Sequence, residues 1–198
     1  MALVTAGFAV SADGFTAGPG QSLDKPFGAG PVSELTRWMF QTPDENKAEM
    51  DALVQADAYI MGRNMFSPGR GEWDLSWRGW WGEEPPYHGP VFVLTHHERD
   101  DLPMDGGTTF HFVTGGVEEA MSRAAEAAGD GRVDIAGGAA TVNQFLAAGL
   151  VDELTLSITP VVLGEGERLF AGVPPLKLEQ ISSRAASLVT HITYRVVR

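Results

Sequence analysis

Apolar positions follow two different periods along the chain. Short apolar or alternating runs are typical of strands, and they predict strands at residues 3–10, 58–62, 90–95, 109–114 and 133–136. Between these runs apolar residues recur at helical spacing, which predicts helices over residues 32–40, 46–56 and 117–129 and a further helix after Gly138. Strands that alternate with helices indicate an α/β fold built on parallel strands.

The last quarter of the chain changes to a strand-rich pattern. Residues 153–164 alternate apolar and polar positions, and residues 176–183 and 187–197 are typical of an antiparallel strand pair. We therefore expect a mixed, mostly parallel sheet with helices on both faces and antiparallel strands at its C-terminal end. No repeat or linker interrupts the pattern, so residues 1–198 are predicted to form a single domain.

Composition narrows the functional classes. The net charge of −12 argues against nucleic acid or an anionic membrane as the main partner, although local amides and a few cations can still hold an anionic cofactor. The absence of cysteine excludes disulfides, thiolate metal ligands and a thiol nucleophile. The N-terminus lacks the basic region of a signal peptide, and no apolar run approaches the roughly 18 residues of a membrane span. We expect a soluble cytoplasmic protein that acts on a small molecule without a metal.

Two glycines stand between a predicted strand and a predicted helix. In the string VDIAGGAATVNQFL, Gly137 and Gly138 follow the strand, and Val142, Phe145 and Leu146 then recur at helical spacing. A helix entrance without side chains lets a ligand approach the backbone N–H groups, and phosphate is the common ligand at such a place. A tight strand-to-helix turn without a ligand accounts for the same residues, so both interpretations stand at this point.

Two other strands also end in glycine or polar residues. Gly62 is the last residue of one predicted strand, and Arg63 follows it. Thr95 ends another predicted strand, and His96, His97 and Arg99 follow it. Ligands of open α/β sheets bind at the carboxyl ends of strands, and guanidinium, hydroxyl and amide groups suit phosphate. Three such strand ends match the layout of a phosphorylated dinucleotide. Each one alone has a structural explanation, for instance a surface ion pair for Arg63.

Four tryptophans fall within the long predicted loop between residues 67 and 90, at Trp73, Trp77, Trp80 and Trp81. One interpretation is a hydrophobic cluster that is separate from the main core. The other is a lid or a subunit contact.

Five strings together resemble the dihydrofolate-reductase-like superfamily: SADGF, MGRNMF, PVFVLTHH, AGGAATVNQFLAAGLVDEL and TPVVLGEGERLF. Within it, the chain is most similar to stand-alone reductases related to the C-terminal domain of the riboflavin biosynthesis protein RibD. The resemblance implies a dihydrofolate-reductase-like fold, a twisted, mostly parallel sheet of eight strands flanked by helices and ending in an antiparallel hairpin. It also implies NADPH as cofactor, hydride transfer to a pteridine, pyrimidine or flavin-precursor type of heterocycle, and a homodimer.

By position, the resemblance also assigns cofactor-binding residues. It places Gly62, Arg63 and Asn64 beside the pyrophosphate and adenosine ribose, Thr95 and His96 at the 2′-phosphate, and Gly137, Gly138, Ala139, Ala140 and Thr141 at the pyrophosphate. The family's third glycine is Ala139 here, and its Ser-Arg type pair is Thr95-His96. A histidine at that place binds phosphate best when protonated, so the motif leaves the choice between NADPH and NADH open.

Reduction of a C=N or C=O bond needs a proton as well as a hydride. The resemblance places Glu34, in the string SELTRWMF, at the carboxylate position of the folate enzymes, in an expected apolar pocket lined by Trp38 and Phe8. Asp13, in the turn after the first strand, is the other candidate. An acid in the first turn of a helix is also favoured by the helix dipole, so Glu34 has a purely structural explanation as well.

These residues favour or disfavour three functional classes to different degrees. The first is an NADPH-dependent reductase, and the second is a non-catalytic nucleotide-binding protein that retains the reductase fold. A Rossmann dehydrogenase is disfavoured because the N-terminus has no Gly-x-Gly-x-x-Gly and no acidic residue follows the glycines by about 20 positions. The zinc deaminase chemistry that often accompanies riboflavin reductases needs cysteines that this chain does not have.

Overall fold

The computed structural model describes residues 1–67 and 69–197. Its strands are β1 (Leu3–Ser11), β2 (Phe15–Ala17), β3 (Ala58–Gly62), β4 (Pro90–Leu94), β5 (Leu102–Pro103), β6 (Thr109–Val113), β7 (Arg132–Gly137), β8 (Glu153–Thr159), β9 (Glu167–Arg168), β10 (Lys177–Ala185) and β11 (Thr190–Val197). Its α-helices are α1 (Arg37–Gln41), α2 (Lys47–Ala52), α3 (Arg63–Phe66), α4 (Gly116–Ala128) and α5 (Ala139–Ala147).

Nine of the described strands form one mixed sheet in the order β10-β11-β8-β1-β7-β3-β4-β6-β5. The central strands from β8 to β6 run parallel, whereas β11, β10 and β5 pair antiparallel at the two edges. Strands β2 and β9 form a separate antiparallel pair. The predicted fold class is confirmed, and the main sheet has one strand more than expected because Leu102–Pro103 adds a short edge strand beside β6.

Helices cover both faces of the sheet, as predicted. Even-numbered residues of β1, such as Val4 and Ala6, pack on one face with the main core, which includes Ala124 of α4 and Phe145 of α5. Successive residues of a strand point to opposite faces, so Thr5 lies on the other face. Helices α1 and α2 lie on that second face, and the ring of Trp38 meets the ring of His191 there at 5.0 Å between centroids.

A second hydrophobic cluster lies at the β4–β6 side of the sheet. Its buried residues include Tyr59, Met61, Phe66 and Phe110, and Trp73, Trp77 and Trp81 of the long loop pack against them. The indole N–H of Trp77 donates to the carbonyl oxygen of Phe66 at 2.8 Å, which ties the loop to the end of α3. Of the two interpretations of the tryptophan loop, the structure shows the separate hydrophobic cluster.

One predicted helix is interrupted in the structure, and two predicted elements are shorter than their patterns. The helix predicted over residues 32–40 is a 3₁₀ turn, Val32–Leu35, followed by α1, and the helix predicted over 46–56 already ends at Ala52. The strand predicted over 153–164 ends at Thr159, because Pro160 has no N–H for a further ladder bond. Within residues 1–67 and 69–197 no helix combines the length and the apolar character needed to cross a membrane.

Candidate functional site

The carboxyl ends of β3 and β7 lie side by side. In their parallel pairing Met61 stands opposite Gly137, so α3 and α5 begin next to each other. A Cβ atom on Gly62 would collide with the side-chain oxygen of Thr141 in the first turn of α5. Two of the three strand ends predicted from the sequence are therefore in direct contact.

The two glycines before α5 have different environments. Gly137 has a φ of 139°, which L-residues rarely adopt, and a Cβ atom there would lie 3.0 Å from the sulfur of Met65. Gly138 has a φ of −80°, and a Cβ atom on it would have no atom within 4 Å. The peptide bond between them is cis. Gly137 therefore serves the close packing of the turn, while Gly138 faces open space at the N-terminus of a nine-residue helix.

Asn143 of α5 holds the segment after β8 against this helix. Its side chain donates to the carbonyl oxygen of Arg168 at 3.0 Å and accepts from the backbone N–H of Phe170 at 2.8 Å. Sequence reasoning missed this residue. The available signal was an asparagine in the middle of an apolar helix, because asparagine is a poor helix former that needs a partner elsewhere.

The tryptophan loop joins the ends of β3 and β4. The guanidinium of Arg63 lies 3.9 Å from the centroid of the Trp73 ring and donates to the carbonyl oxygen of Glu72 at 3.2 Å. The indole N–H of Trp73 donates to the carbonyl oxygen of His97 at 2.9 Å. Asn64 accepts a hydrogen bond from Arg70. Trp73 therefore links the end of β4, which is the third predicted strand end, to the end of β3, which lies beside the end of β7.

The two residues predicted to bind the 2′-phosphate at the end of β4, Thr95 and His96, have different environments in the structure. The hydroxyl of Thr95 donates to the carbonyl oxygen of His97 at 3.2 Å and accepts from its backbone N–H at 3.1 Å, so it shapes the turn. His96 is exposed. The imidazole of His97 lies 3.3 Å from the carboxylate of Glu72, and it is His97 that belongs to the cluster around Trp73.

Two guanidinium groups at this place retain hydrogen-bonding capacity. Arg99 lies 5.3 Å from the Trp73 ring on which Arg63 stacks. Arg63 Nε and Arg99 Nη1 are buried donors without a hydrogen-bond partner in the described part of the chain. Burial lowers the pKa of both groups, yet arginine stays charged in proteins. Each is a cationic donor beside the Trp73 ring, and cationic donors suit a phosphate group.

Three hydrogen bonds hold the carboxylate of Asp13. It accepts from the hydroxyl of Ser11 at 2.6 Å and from the backbone N–H groups of Leu163 and Gly164 at 3.0 and 2.7 Å. These hydrogen bonds, with that from Ser11 the largest cause, lower the pKa of Asp13 to about 2. The carboxylate is therefore ionised at neutral pH, which disfavours Asp13 as the proton donor, and its catalytic role stays a prediction.

Glu34 lies in the 3₁₀ turn before α1. Its carboxylate is 3.0 Å from the guanidinium of Arg37, and its side chain is 41% exposed. Trp38 is buried and donates its indole N–H to the carbonyl oxygen of Leu35 at 3.1 Å. Phe8 and Trp38 both border the cavity between the sheet and helices α1 and α2, but Glu34 is not among its lining residues and is paired with Arg37 instead.

Buried polar groups on the α1–α2 face of the sheet were not predicted. His191 accepts from the hydroxyl of Ser157 at 2.9 Å and donates through Nε2 to the side-chain oxygen of Asn46 at 2.9 Å. That direction follows because the Asn46 amide nitrogen donates to Thr42. Burial lowers the pKa of His191, which keeps the ring neutral. The sequence showed only alternating polar positions, which are typical of a solvent-facing side.

The fold and the strand-end site together define a dihydrofolate-reductase-like α/β protein. The chain belongs to the RibD C-terminal domain family, whose model matches residues 2–192. The prediction of that family is confirmed.

Individual proteins are similar to this chain in sequence or in fold. The uncharacterized protein YyaP of Bacillus subtilis (strain 168) is 29% identical over 200 residues, which cover 94% of this chain and 90% of that protein. A putative riboflavin biosynthesis protein from Shewanella sp. PV-4 is 25% identical, with full coverage of both chains and a TM-score of 0.69. Dihydrofolate reductase from Enterococcus faecalis, solved with NADP(H) and RAB-propyl, shares the fold at 15% identity, with 99% and 97% coverage and a TM-score of 0.55.

Proposed function

We propose that the protein is an NADPH-dependent reductase that transfers a hydride to a small conjugated heterocycle of the pteridine, pyrimidine or flavin-precursor type. Family membership supports a reductase, and one structural neighbour is named as a riboflavin biosynthesis protein while another was solved with NADP(H). The observation that carries the proposal is the open space at Gly138, in front of the N-terminus of α5. Backbone N–H groups that face open space at a helix N-terminus are a site for pyrophosphate.

The residues of the site fit a phosphorylated dinucleotide. In the proposal, the backbone of Gly138, Ala139 and Ala140 holds the pyrophosphate, and Arg63 and Arg99 supply unpartnered donors for a further phosphate. The cofactor, when bound, supplies the hydride, and the protein supplies binding and orientation. The carboxylate of Glu72 lies beside His97 and competes with a phosphate for that imidazole.

The proton for the reduced substrate is assigned to Glu34. Asp13 is held ionised by its hydrogen bonds, so Glu34 is the remaining carboxyl of the two predicted from the sequence. Its side chain is partly exposed and bound to Arg37, which leaves it accessible to exchange protons with water. A positioned carboxyl group that donates its proton in the transition state raises the rate of such a reaction on the order of 10²-fold or more.

The proposal is tested by calorimetric titration of NADPH and NADH at pH 6.5. We expect the wild-type protein to prefer NADPH, and Gly138→Val to lose tenfold or more in affinity, which is about 1.4 kcal/mol. The φ of −80° is open to any residue and no protein atom lies within 4 Å of the new Cβ, so the variant is expected to fold. The matched control is Gly89→Ala at the opposite end of β4, where the nearest atom lies 3.5 Å from a Cβ.

Equal affinities for the two cofactors, or no binding of either, would overturn the proposal. Normal NADPH binding by a folded Gly138→Val would show that the glycines serve the turn alone. NADPH oxidation is then measured with dihydrofolate, aminopyrimidinones and flavin precursors as acceptors. Cofactor binding without oxidation in the presence of any acceptor would favour the alternative, a non-catalytic nucleotide-binding protein.

A further inference from the structure

Helix α1 holds the surroundings of Glu34 but is too short to fix its own position. It has five residues, Arg37–Gln41, and the 3₁₀ turn that contains Glu34 comes directly before it. Helices of this length are not stable in isolation. The carboxylate of Glu34 is paired with Arg37, the first residue of α1, at 3.0 Å. The place of Glu34 therefore depends on whatever fixes α1 to the sheet.

A chain of buried hydrogen bonds runs from the sheet towards α1. Ser157 of β8 donates to Nδ1 of His191 on β11 at 2.9 Å, and Nε2 of His191 donates to Oδ1 of Asn46 at 2.9 Å. The amide nitrogen of Asn46 donates to the carbonyl oxygen of Thr42 at 2.8 Å and to its hydroxyl at 3.0 Å. Ser157, His191 and Asn46 are only 6%, 4% and 0% exposed, so water does not replace these bonds.

The chain continues along α1 to the turn of Glu34. The hydroxyl and the backbone N–H of Thr42 both donate to the carbonyl oxygen of Trp38, at 3.1 and 3.2 Å. The indole N–H of Trp38 donates to the carbonyl oxygen of Leu35 at 3.1 Å, and Leu35 is the neighbour of Glu34. The ring of His191 also meets the ring of Trp38 edge-on, with 5.0 Å between centroids. His191 thus reaches the turn of Glu34 through hydrogen bonds and through a direct contact with Trp38.

The groups around His191 require a neutral ring. The ionisable side chains near it are Glu45 and Glu49, at the start of α2, and Arg184 of β10. Arg184 donates to the same oxygen of Asn46 at 3.1 Å and is paired with Glu49 at 2.8 Å. Burial, the largest cause, lowers the pKa of His191. A neutral imidazole has one donor and one acceptor, which is the combination that its two hydrogen-bond partners need.

We propose that His191 is a positioning residue for the reduction: it fixes α1 to the sheet and, through α1, places the carboxyl group of Glu34 for proton donation. His191 acts through Asn46 and Trp38 and has no contact with Glu34 itself. The role of Glu34 rests on the proposed reductase function, whereas the coupling of His191 to α1 does not.

Two substitutions separate the two ends of the imidazole. The side-chain amide of glutamine reaches the place of Nε2, so His191→Gln still donates to Asn46, whereas the shorter His191→Asn does not. We expect His191→Asn to lower kcat roughly tenfold or more, because a small displacement of a catalytic group is costly. The KM of the acceptor and the affinity for NADPH should stay nearly constant, and His191→Gln should restore most of kcat. His111→Asn is the matched control, since it removes an imidazole that binds Asp101 near the other edge of the sheet.

Amide hydrogen exchange measures the same coupling without turnover. His191→Asn is expected to speed exchange at Met39 and Thr42 roughly tenfold or more, while exchange in α5 stays constant. Thr42→Val breaks the other end of the chain and leaves the imidazole, so it should have the same effect, with little further change in the double variant.

The pH dependence gives a further readout. The lowered pKa means that the coupling is complete above pH 6.5 and is lost as the pH falls through the pKa of His191, where the ring takes up a proton on the nitrogen that accepts from Ser157. Exchange at Met39 and Thr42, relative to the intrinsic rate, should therefore rise in acid in the wild type. It should not rise in His191→Gln, which has no proton to take up.

Unchanged exchange in α1 in both His191→Asn and Thr42→Val would overturn the proposal, whether or not the protein reduces any acceptor. Equal losses of kcat in folded His191→Asn and His191→Gln would also overturn it, because only the volume of the ring would then matter. Faster exchange with an unchanged kcat would remove the positioning role. A protein that reduces no acceptor contradicts the proposed function alone, and the exchange rates then still decide whether His191 holds α1.

Discussion

A Cβ atom on Gly62 would meet the side-chain oxygen of Thr141, although Thr141 lies 79 positions further along the chain. This contact lets the end of β3 and the first turn of α5 share one surface. Any side chain at residue 62 would push the start of α3 away from the first turn of α5, whose entrance is proposed to hold the cofactor.

Gly62→Ala is therefore expected to destabilise the protein by about 1–3 kcal/mol, because the added methyl group overpacks a close contact. Thr141→Ala in the same chain should recover most of the loss, since it removes the oxygen that the methyl group meets. Urea unfolding of the two single variants and the double variant gives the coupling energy. Additive effects would contradict the contact.

Asp134→Asn is expected to stabilise the protein at pH 7. The pKa of Asp134 is raised from 3.8 to about 6 in the folded state, so its favourable contribution is complete below about pH 4 and is lost as the pH rises to about 6. The loss is about 3 kcal/mol at 1.36 kcal/mol per pKa unit. Unfolding free energies of both proteins between pH 4 and 7 test this, and parallel curves would contradict it.

Asp13→Asn is expected to loosen the segment after β8. The lowered pKa means that the charged form stabilises the fold above about pH 4 and that this effect is lost as the pH falls towards 2. In the variant, amide hydrogen exchange at Leu163 and Gly164 should become faster at pH 7. Asp74→Asn is the matched control, because Asp74 binds Ser76 in a different loop. Unchanged exchange at residues 163 and 164 would contradict the role of Asp13.

Glu34→Gln is expected to lower kcat on the order of 10²-fold while NADPH affinity stays constant. The substitution also breaks the ion pair with Arg37, so Arg37→Gln is needed as a control that breaks the same pair and leaves the carboxyl group. We expect the control to keep most of its activity. Equal losses in the two variants would mean that the ion pair, and not the carboxyl group, is what the reaction needs.

The protein is expected to form a homodimer at micromolar concentration. Strand β10 is a long edge strand whose residues are mostly exposed, and Ile181 on it is 44% exposed. Edge strands of this kind offer unpaired backbone groups to another chain. Sedimentation equilibrium should give twice the chain mass for the wild type and a monomer for Ile181→Asp. Leu75→Asp, which changes an exposed residue of the tryptophan loop, should remain a dimer. A monomeric wild type would rule out the dimer.

The order of the strands and helices followed from local sequence patterns. The place of the predicted phosphate site at Gly62 and Gly138 followed from them as well. Alternating and helical periods depend on backbone geometry alone, so they predicted the central strands and the two long helices to within a few residues. Parallel strands present their carboxyl ends at one edge, which is why Gly62 and Gly138 could be assigned to one site before the structure was known.

Only the tertiary structure decided what covers each face of the sheet. A period of two separates Thr5 and Asp134 from their apolar neighbours, but it does not say whether water or a helix lies above them. Helices α1 and α2 cover that face incompletely, and the polar side of β1 and β7 becomes the wall of a cavity. Likewise, Asp13 meets residues 150 and 151 positions further along the chain. Such contacts depend on how the whole chain closes, and no local period contains that information.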